Sequence, residues 1–344
     1  MSPQAQIFRS PQRALVLIPA GMNYIQELHG RRLAEALRAL GLVVDLGNLG
    51  EQFEETYDLC VLTNITQMLF GHELAGGLTD VNLVTEEKRL ALAAIRSLRS
   101  YCRVLACCLF DCIDSSTYKE IQRYCQATEI DAILDFGFHN RSALLASSVR
   151  SVYHFIPNGL TPSEQESVNQ QKSEEDRAIP WVFIGQASAR RVYVVNDLIT
   201  RLDPRGFVDM PNEGKVASKT VQQLNQRQYE TVLRKSRYHI WYSQHQHFCL
   251  ESERFRLSLL AGCIPIKVVP EDQDKPSSLP FDYLVMRESE AADRIRQFNF
   301  HEIQRRFRAD FLAFPSLAEG LLKFLVSRSL LPGWQPSMVK SQAA

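Results

Sequence analysis

Net charge is what this 344-residue sequence most lacks: 39 lysines and arginines balance 39 aspartates and glutamates. With no basic surplus there is no electrostatic footprint for a phosphate backbone, which argues against nucleic acid as a main ligand. Long hydrophobic runs are missing too. The first apolar stretch, from Ala14 to Ala20, is shorter than a membrane span or a signal-peptide core with its cleavage site. A cytoplasmic location is expected, with peripheral contact to a membrane surface left open. No G-x-G-x-x-G follows a strand-like segment, and the loop PAGMNYIQELHG lacks that spacing, which argues against a dinucleotide-dependent dehydrogenase. Eight cysteines are present (Cys60, Cys102, Cys107, Cys108, Cys112, Cys125, Cys249 and Cys263), yet no pair has the two-residue spacing of structural zinc sites. Most lie inside strand-like apolar runs, so buried, reduced thiols are expected, and neither metal nor cofactor is called for.

What is there is ample apolar material, 45% of residues, over a length that suggests two domains. The segment from Arg13 to Leu49 reads as strand, loop, helix, strand, with Leu33, Ala34, Leu37 and Leu40 at helical spacing before Gly41. The alternation continues through TYDLCVLTNI, EEKRLALAAIRSLRSY, RVLACCLFDC, TYKEIQRYCQA, IDAILDFGF and VYHFIPNG. Near-continuous apolar strands alternating with helices predict a parallel sheet covered on both faces. The polar run TPSEQESVNQQKSEEDRAIP then reads as a boundary or solvated excursion. A second α/β series runs from WVFIGQ through RYHIWYS and IPIKVV to helical stretches near Ala291 to Phe314 and Leu317 to Leu330. The predicted division is 1–158, 159–314 and a C-terminal helix and tail, 315–344, that returns to the first domain. Two doubly wound α/β domains would face each other across a cleft at the carboxyl ends of their strands.

Residues 229–281 carry the most chemistry. On the helix beginning near Glu251, Phe255, Leu257, Leu259, Leu260 and Ala261 nearly encircle the axis, leaving Arg254 and Ser258 as a narrow polar stripe. A guanidinium at the start of a buried helix needs an anion, which is either Glu251, Glu253 or another acid of the chain, or a diphosphate at the helix N-terminus. Arg256 points away and reads as structural. Gly185, after a strand, permits close backbone approach to a ligand, and Arg190 or Arg191 near the next helix start suits a phosphate or solvent. Trp241 and Tyr242 end a strand, where they either border a nucleotide base or pack in the core. His239, His245 and His247 are divided between that strand and the loop after it, which argues against a shared metal.

This stretch resembles the nucleotide-sugar-binding half of GT-B glycosyltransferases, most closely the exostosin-like family, in Arg254-Phe255 and Ala261-Gly262-Cys263-Ile264-Pro265-Ile266, with Leu279-Pro280-Phe281 further on. Tyr229, Leu233, Ser236 and Arg237 are similar to the family's lead-in, and Ile156-Pro157-Asn158-Gly159 resembles an interdomain segment. The resemblance implies a GT-B fold of two Rossmann-like domains and a sugar nucleotide as donor substrate rather than cofactor. It also implies that Arg254 contacts the donor phosphates. Two departures stand out. Leu257 replaces the glutamate that many such enzymes carry three residues after this arginine, and Gln244-His245-Gln246-His247 replaces a proline-glycine turn.

For a donor site the expected residues are Gly185, Arg190, Tyr242, Glu251, Arg254 and Ser258. The acceptor, a glycan, lipid or small molecule, would lie against the first domain. There a base must take its hydroxyl proton: His29 in the loop Gly21 to Gly30, with Glu27 beside it, or Asp111 after LFDC. Asp114 reads equally as a helix cap. No Asp-x-Asp is read at a strand end, consistent with positive side chains replacing a metal at the leaving diphosphate. A nucleotide-sugar epimerase and a degenerate GT-B scaffold that binds a nucleotide or protein partner without turnover remain alternatives.

Overall fold

A computed structural model describes residues 12–18, 24–63, 86–110, 125, 127–138, 152–171, 177–185, 187–210, 224, 226–242, 248–273 and 279–331. The first sheet contains β1 (Arg13–Ile18), β2 (Val43–Asn48), β3 (Tyr57–Leu62), β4 (Cys102–Leu109), β5 (Ala132–Asp135) and β7 (Val152–Phe155) in the order β2-β1-β3-β4-β5-β7. The second contains β8 (Ile179–Ile184), β9 (Phe207–Asp209), β10 (Ser236–Tyr242), β12 (Ile264–Val269) and β13 (Val285–Arg287) in the order β13-β12-β10-β8-β9. The pairings within both sheets are parallel.

Apolar alternation explains the layers. Ala14, Val16, Leu59, Val61, Ala106 and Leu134 point into one core of the first lobe; Leu15, Leu17, Cys60, Leu62, Leu105 and Ile133 point into the other. With period two, a strand that is apolar at every position buries both faces. Helix α1 (Tyr24–Ala39) covers one face through Leu33, Ala34 and Leu37, and α2 (Glu86–Ser97) covers the other through Ile95. The second lobe is built around a large aromatic-rich core containing Trp181, Trp241, Phe255, Phe281, Phe307 and Phe311. Its helices among the described residues include α4 (Ala189–Arg201), α5 (Gln226–Lys235), α6 (Ser252–Ala261), α7 (Ala291–Gln297) and α8 (Phe300–Leu312). Leu317, Leu321, Phe324 and Leu325 of α9 (Leu317–Ser327), the last helix among the described residues, join the core of the first lobe.

Three local readings are corrected. The polar run after Asn158 is not merely solvated: Pro162–Gln170 forms α3, started by a capping box in which Thr161 accepts from the Glu164 amide and Glu164 accepts from the Thr161 amide. The predicted loop Gly21 to Gly30 is already helical from Tyr24, so Glu27 and His29 stand on α1. The helical stretch from Ala291 is broken at Phe298 and Asn299, where the Asn299 side chain caps α8 through the Glu302 amide.

The lobes also touch through backbone. β6 (Gly137–Phe138) and β11 (Leu250–Glu251) form an antiparallel pair across the sequence from the first lobe to the segment leading into α6. Among the described residues no helix is long and apolar enough to cross a membrane.

Candidate functional site

In each sheet the first strand lies between the second and the third, so chain direction across the sheet reverses there and leaves a crevice at the carboxyl ends. In the second lobe that crevice falls between β8 and β10, at Ile184-Gly185 and Tyr242. Three arginines converge on it. Arg254, in the first turn of α6, donates to the Ile184 carbonyl at 3.4 Å and holds its guanidinium 5.6 Å from the Trp241 ring. Arg191 donates from Nε and Nη2 to the Tyr242 carbonyl, both at 3.3 Å. Arg190 lies 5.8 Å from the Tyr242 ring and is half exposed, pairing with Asp272 at 3.1 Å and Glu288 at 3.7 Å.

The acids offered as partners of Arg254 are engaged elsewhere. Glu251 accepts from Lys267 and, at 3.2 Å, from the Trp241 indole. Burial opposes its ionisation, but the Lys267 ammonium overrides that and holds its pKa below the ordinary value. Glu253 turns the other way, onto Arg256 and Asn158. Arg254 is therefore a half-buried cation facing the crevice, with no ion pair to a described carboxylate.

The other expected residues are placed as follows. The Gly185 amide donates to the Asp209 carbonyl at 3.1 Å. Tyr242 is fully buried and its hydroxyl donates to Glu288 at 2.9 Å; burial and that carboxylate together raise its pKa. Ser258 is also fully buried: its hydroxyl donates to the Arg254 carbonyl at 2.7 Å and lies 2.9 Å from His239 Nδ1. The polar stripe thus splits, with Arg254 turned to the crevice and Ser258 sealed beneath it.

His29 is 5% exposed and stacks on Phe110 at 4.1 Å between centroids. Burial, with Arg32 and Arg256 nearby and Glu253 opposing, lowers its pKa to about 4, so the ring is neutral at physiological pH. Asp111, Asp114, His245 and His247 lie outside the described residues. So does Asp274 of an Asp-x-Asp the sequence reading passed over: Asp272-Gln273-Asp274 begins three residues after β12, and Asp272 holds Arg190. Among the described residues no group of three or more His, Cys, Asp or Glu side chains is gathered to hold a metal.

A buried polar cluster between the lobes was not foreseen from the sequence. Arg32 of α1 donates to Glu164 at 2.8 Å, to the Asn158 carboxamide oxygen at 2.8 Å and to the Gly159 carbonyl at 2.9 Å. Arg256, fully buried, binds Glu164 and Glu253. Burial disfavours the Glu253 carboxylate, yet Arg256, His29 and Arg32 hold its pKa well below the ordinary range. The Thr161-Pro162-x-Glu164 cap was a readable signal for α3, but the partners are 92 to 132 positions apart.

No protein-family model matches the chain, and a search of curated proteins finds none similar in sequence. Solved structures do match. An alpha-glucosyltransferase in complex with UDP and a 13-mer DNA containing a HMU base aligns at 10% identity and TM-score 0.60, over 93% of this chain and 100% of that one. The fold is GT-B.

A structure described as trehalose-6-phosphate from E. coli bound with UDP-2-fluoro glucose aligns over 93% of this chain and 99% of that one, at 9% identity and TM-score 0.55. A glycosyltransferase from Rickettsia africae aligns over 95% and 100%, at 9% identity and TM-score 0.51. At such identities the likeness speaks to the GT-B architecture alone, with its two Rossmann-like domains.

Proposed function

We propose that the chain is a glycosyltransferase that moves a sugar from a nucleotide-sugar donor to an acceptor hydroxyl, with no metal required. The observation that carries this is Arg254: a half-buried guanidinium at the crossover crevice of the second GT-B lobe, not paired with a described carboxylate. In the proposed reaction the acceptor oxygen bonds to the anomeric carbon as the bond from that carbon to the donor phosphate oxygen breaks. Its electron pair leaves with the diphosphate, and the acceptor proton passes to a base. Arg254 stabilises the departing negative charge, and the N-terminus of α6 adds its own positive end. Arg190 is assigned to the rim, where it would exchange Asp272 for phosphate. The likeness of Arg254-Phe255 and Ala261–Ile266 to exostosin-like enzymes supports the same assignment.

Acceptor chemistry is assigned to the first lobe, and the acceptor class stays open among glycans, lipids and small molecules. In an inverting reaction the base would be His29 or Asp111. A neutral His29 can accept a proton, and it would need Phe110 to move aside to reach one. The division at residues 158 and 314 belongs to this reading, as does a cytoplasmic setting, which suits buried thiols such as Cys107 and Cys263.

Thermal denaturation with a panel of nucleotide sugars tests the proposal: a specific donor raises the melting temperature by mass action, and Arg254→Ala removes the rise. No rise with any donor would refute it. One observation favours a second reading, a GT-B scaffold that binds without turnover. Leu257 packs against the small apolar cluster of Val182, Leu233, Ala261 and Cys263, as Ile184 and Tyr229 do, where the resembling enzymes carry a glutamate. Donor binding with neither transfer nor donor hydrolysis would select that reading.

A further inference from the structure

Five side chains from four segments meet where the lobes join. Arg32 comes from α1 in the first lobe, Asn158 from the connection between lobes, Glu164 from α3, and Glu253 and Arg256 from the first turns of α6. Their hydrogen bonds form a closed circuit. Arg32 donates to Glu164 and Asn158; the Asn158 amide nitrogen donates to Glu253 at 3.0 Å; Glu253 accepts from Arg256 Nε at 2.9 Å; Arg256 returns to Glu164. Two guanidiniums are thus shared by two carboxylates, and both guanidiniums are almost wholly removed from water. Removal of two such charges from water is favourable only with close, saturated geometry, which fixes the carriers relative to one another. A second tie acts on the same turn: the Ser252 hydroxyl donates to the first-lobe Phe136 carbonyl at 2.7 Å, beside the β6–β11 pair.

Glu253 immediately precedes Arg254. On a helix, successive side chains are about 100° apart, so the side chain gripped by the circuit fixes the direction of the one beside it. We infer that this circuit is a clamp that anchors the first turn of α6 to the first lobe and thereby aims Arg254 into the crevice. Arg32, Asn158 and Glu253 are positioning residues: they touch no donor, and they set where the phosphate-binding guanidinium stands relative to the acceptor lobe. The clamp rests on the proposed donor role of Arg254 for its purpose, though not for its mechanics.

The test separates the two. Full-length Glu253→Gln and the charge-balanced double variant Arg32→Leu/Glu164→Leu are compared with wild type by amide hydrogen exchange and by UDP titration. The amides of Phe255 to Leu257 bond back to the first turn of α6 and should exchange about tenfold faster in either variant, while α8 stays unchanged. UDP affinity should fall about tenfold in Glu253→Gln, whereas adding Glu253→Gln to Arg254→Ala should change nothing further. Unchanged exchange in both variants overturns the clamp, and an equal loss of affinity with and without Arg254 overturns its action through Arg254. If Glu253→Gln does not fold, the double variant, which removes one cation and one anion together, carries both arms. Failure of UDP and every other nucleoside diphosphate to bind wild type would sink the donor reading, while the exchange result would still decide the clamp.

Discussion

Replacing Arg256 by leucine removes one guanidinium from a site that shares it between two carboxylates. Arg32 still binds Glu164 at 2.8 Å but lies 3.6 Å from Glu253, so Glu253 keeps mainly its bond from Asn158. Both carboxylates stay largely buried. Breaking a buried pair from one side costs about 3–5 kcal/mol, because the partner charge is left uncompensated. For lobes of this size that lowers the melting temperature by roughly 6–20 °C. The double variant Arg256→Leu/Glu253→Leu should recover most of the loss, since neither charge then remains and leucine fills part of the volume. Differential scanning calorimetry of wild type, both single variants and the double variant measures this directly. A drop of under about 1 kcal/mol for Arg256→Leu, the value expected of a solvent-screened surface pair, would refute the reasoning.

Two further outcomes follow from geometry. His29 takes up its proton near pH 4 in the folded chain and near 6.5 when unfolded, so the unfolded state gains protons first as pH falls. Between those values the folded state should lose stability on the order of 3 kcal/mol, and none above pH 7; His29→Phe, which keeps a ring against Phe110, should flatten that part of the denaturation profile. An unaltered profile would contradict a buried, neutral His29. Gly159→Ala would set its Cβ 2.0 Å from the Pro315 carbonyl oxygen and 2.9 Å from Ser316 Cα. Backbone must shift, at a cost of about 1–3 kcal/mol, visible as a lowered melting temperature and weaker protection of α9 in hydrogen exchange.

What could be read from the sequence was local. Strands such as Leu59–Leu62 and Leu105–Leu109 are apolar at every position, and that alone predicts a parallel sheet covered on both faces. Helical spacing placed Arg254 and Ser258 on one stripe, and they are neighbours, yet spacing cannot say which of the two the rest of the lobe seals; His239 does so for Ser258. Helix α3 escaped because it buries only Val168 and spends its polar residues on distant partners. The circuit of Arg32, Asn158, Glu164, Glu253 and Arg256 was out of reach for the same reason: the sequence offers Glu253 only as a partner for its neighbour Arg254 and Asn158 only as part of a turn, and the tertiary fold alone brings the five within hydrogen-bond range.

The most direct measurement is calorimetric titration of nucleoside diphosphates into wild type and into Arg254→Ala. One of them should bind wild type, and its affinity should fall roughly 10- to 100-fold in the variant, the worth of a hydrogen bond to a charged group. Binding of equal strength to both proteins, or no binding to wild type by any of them, would contradict a donor site at the crevice.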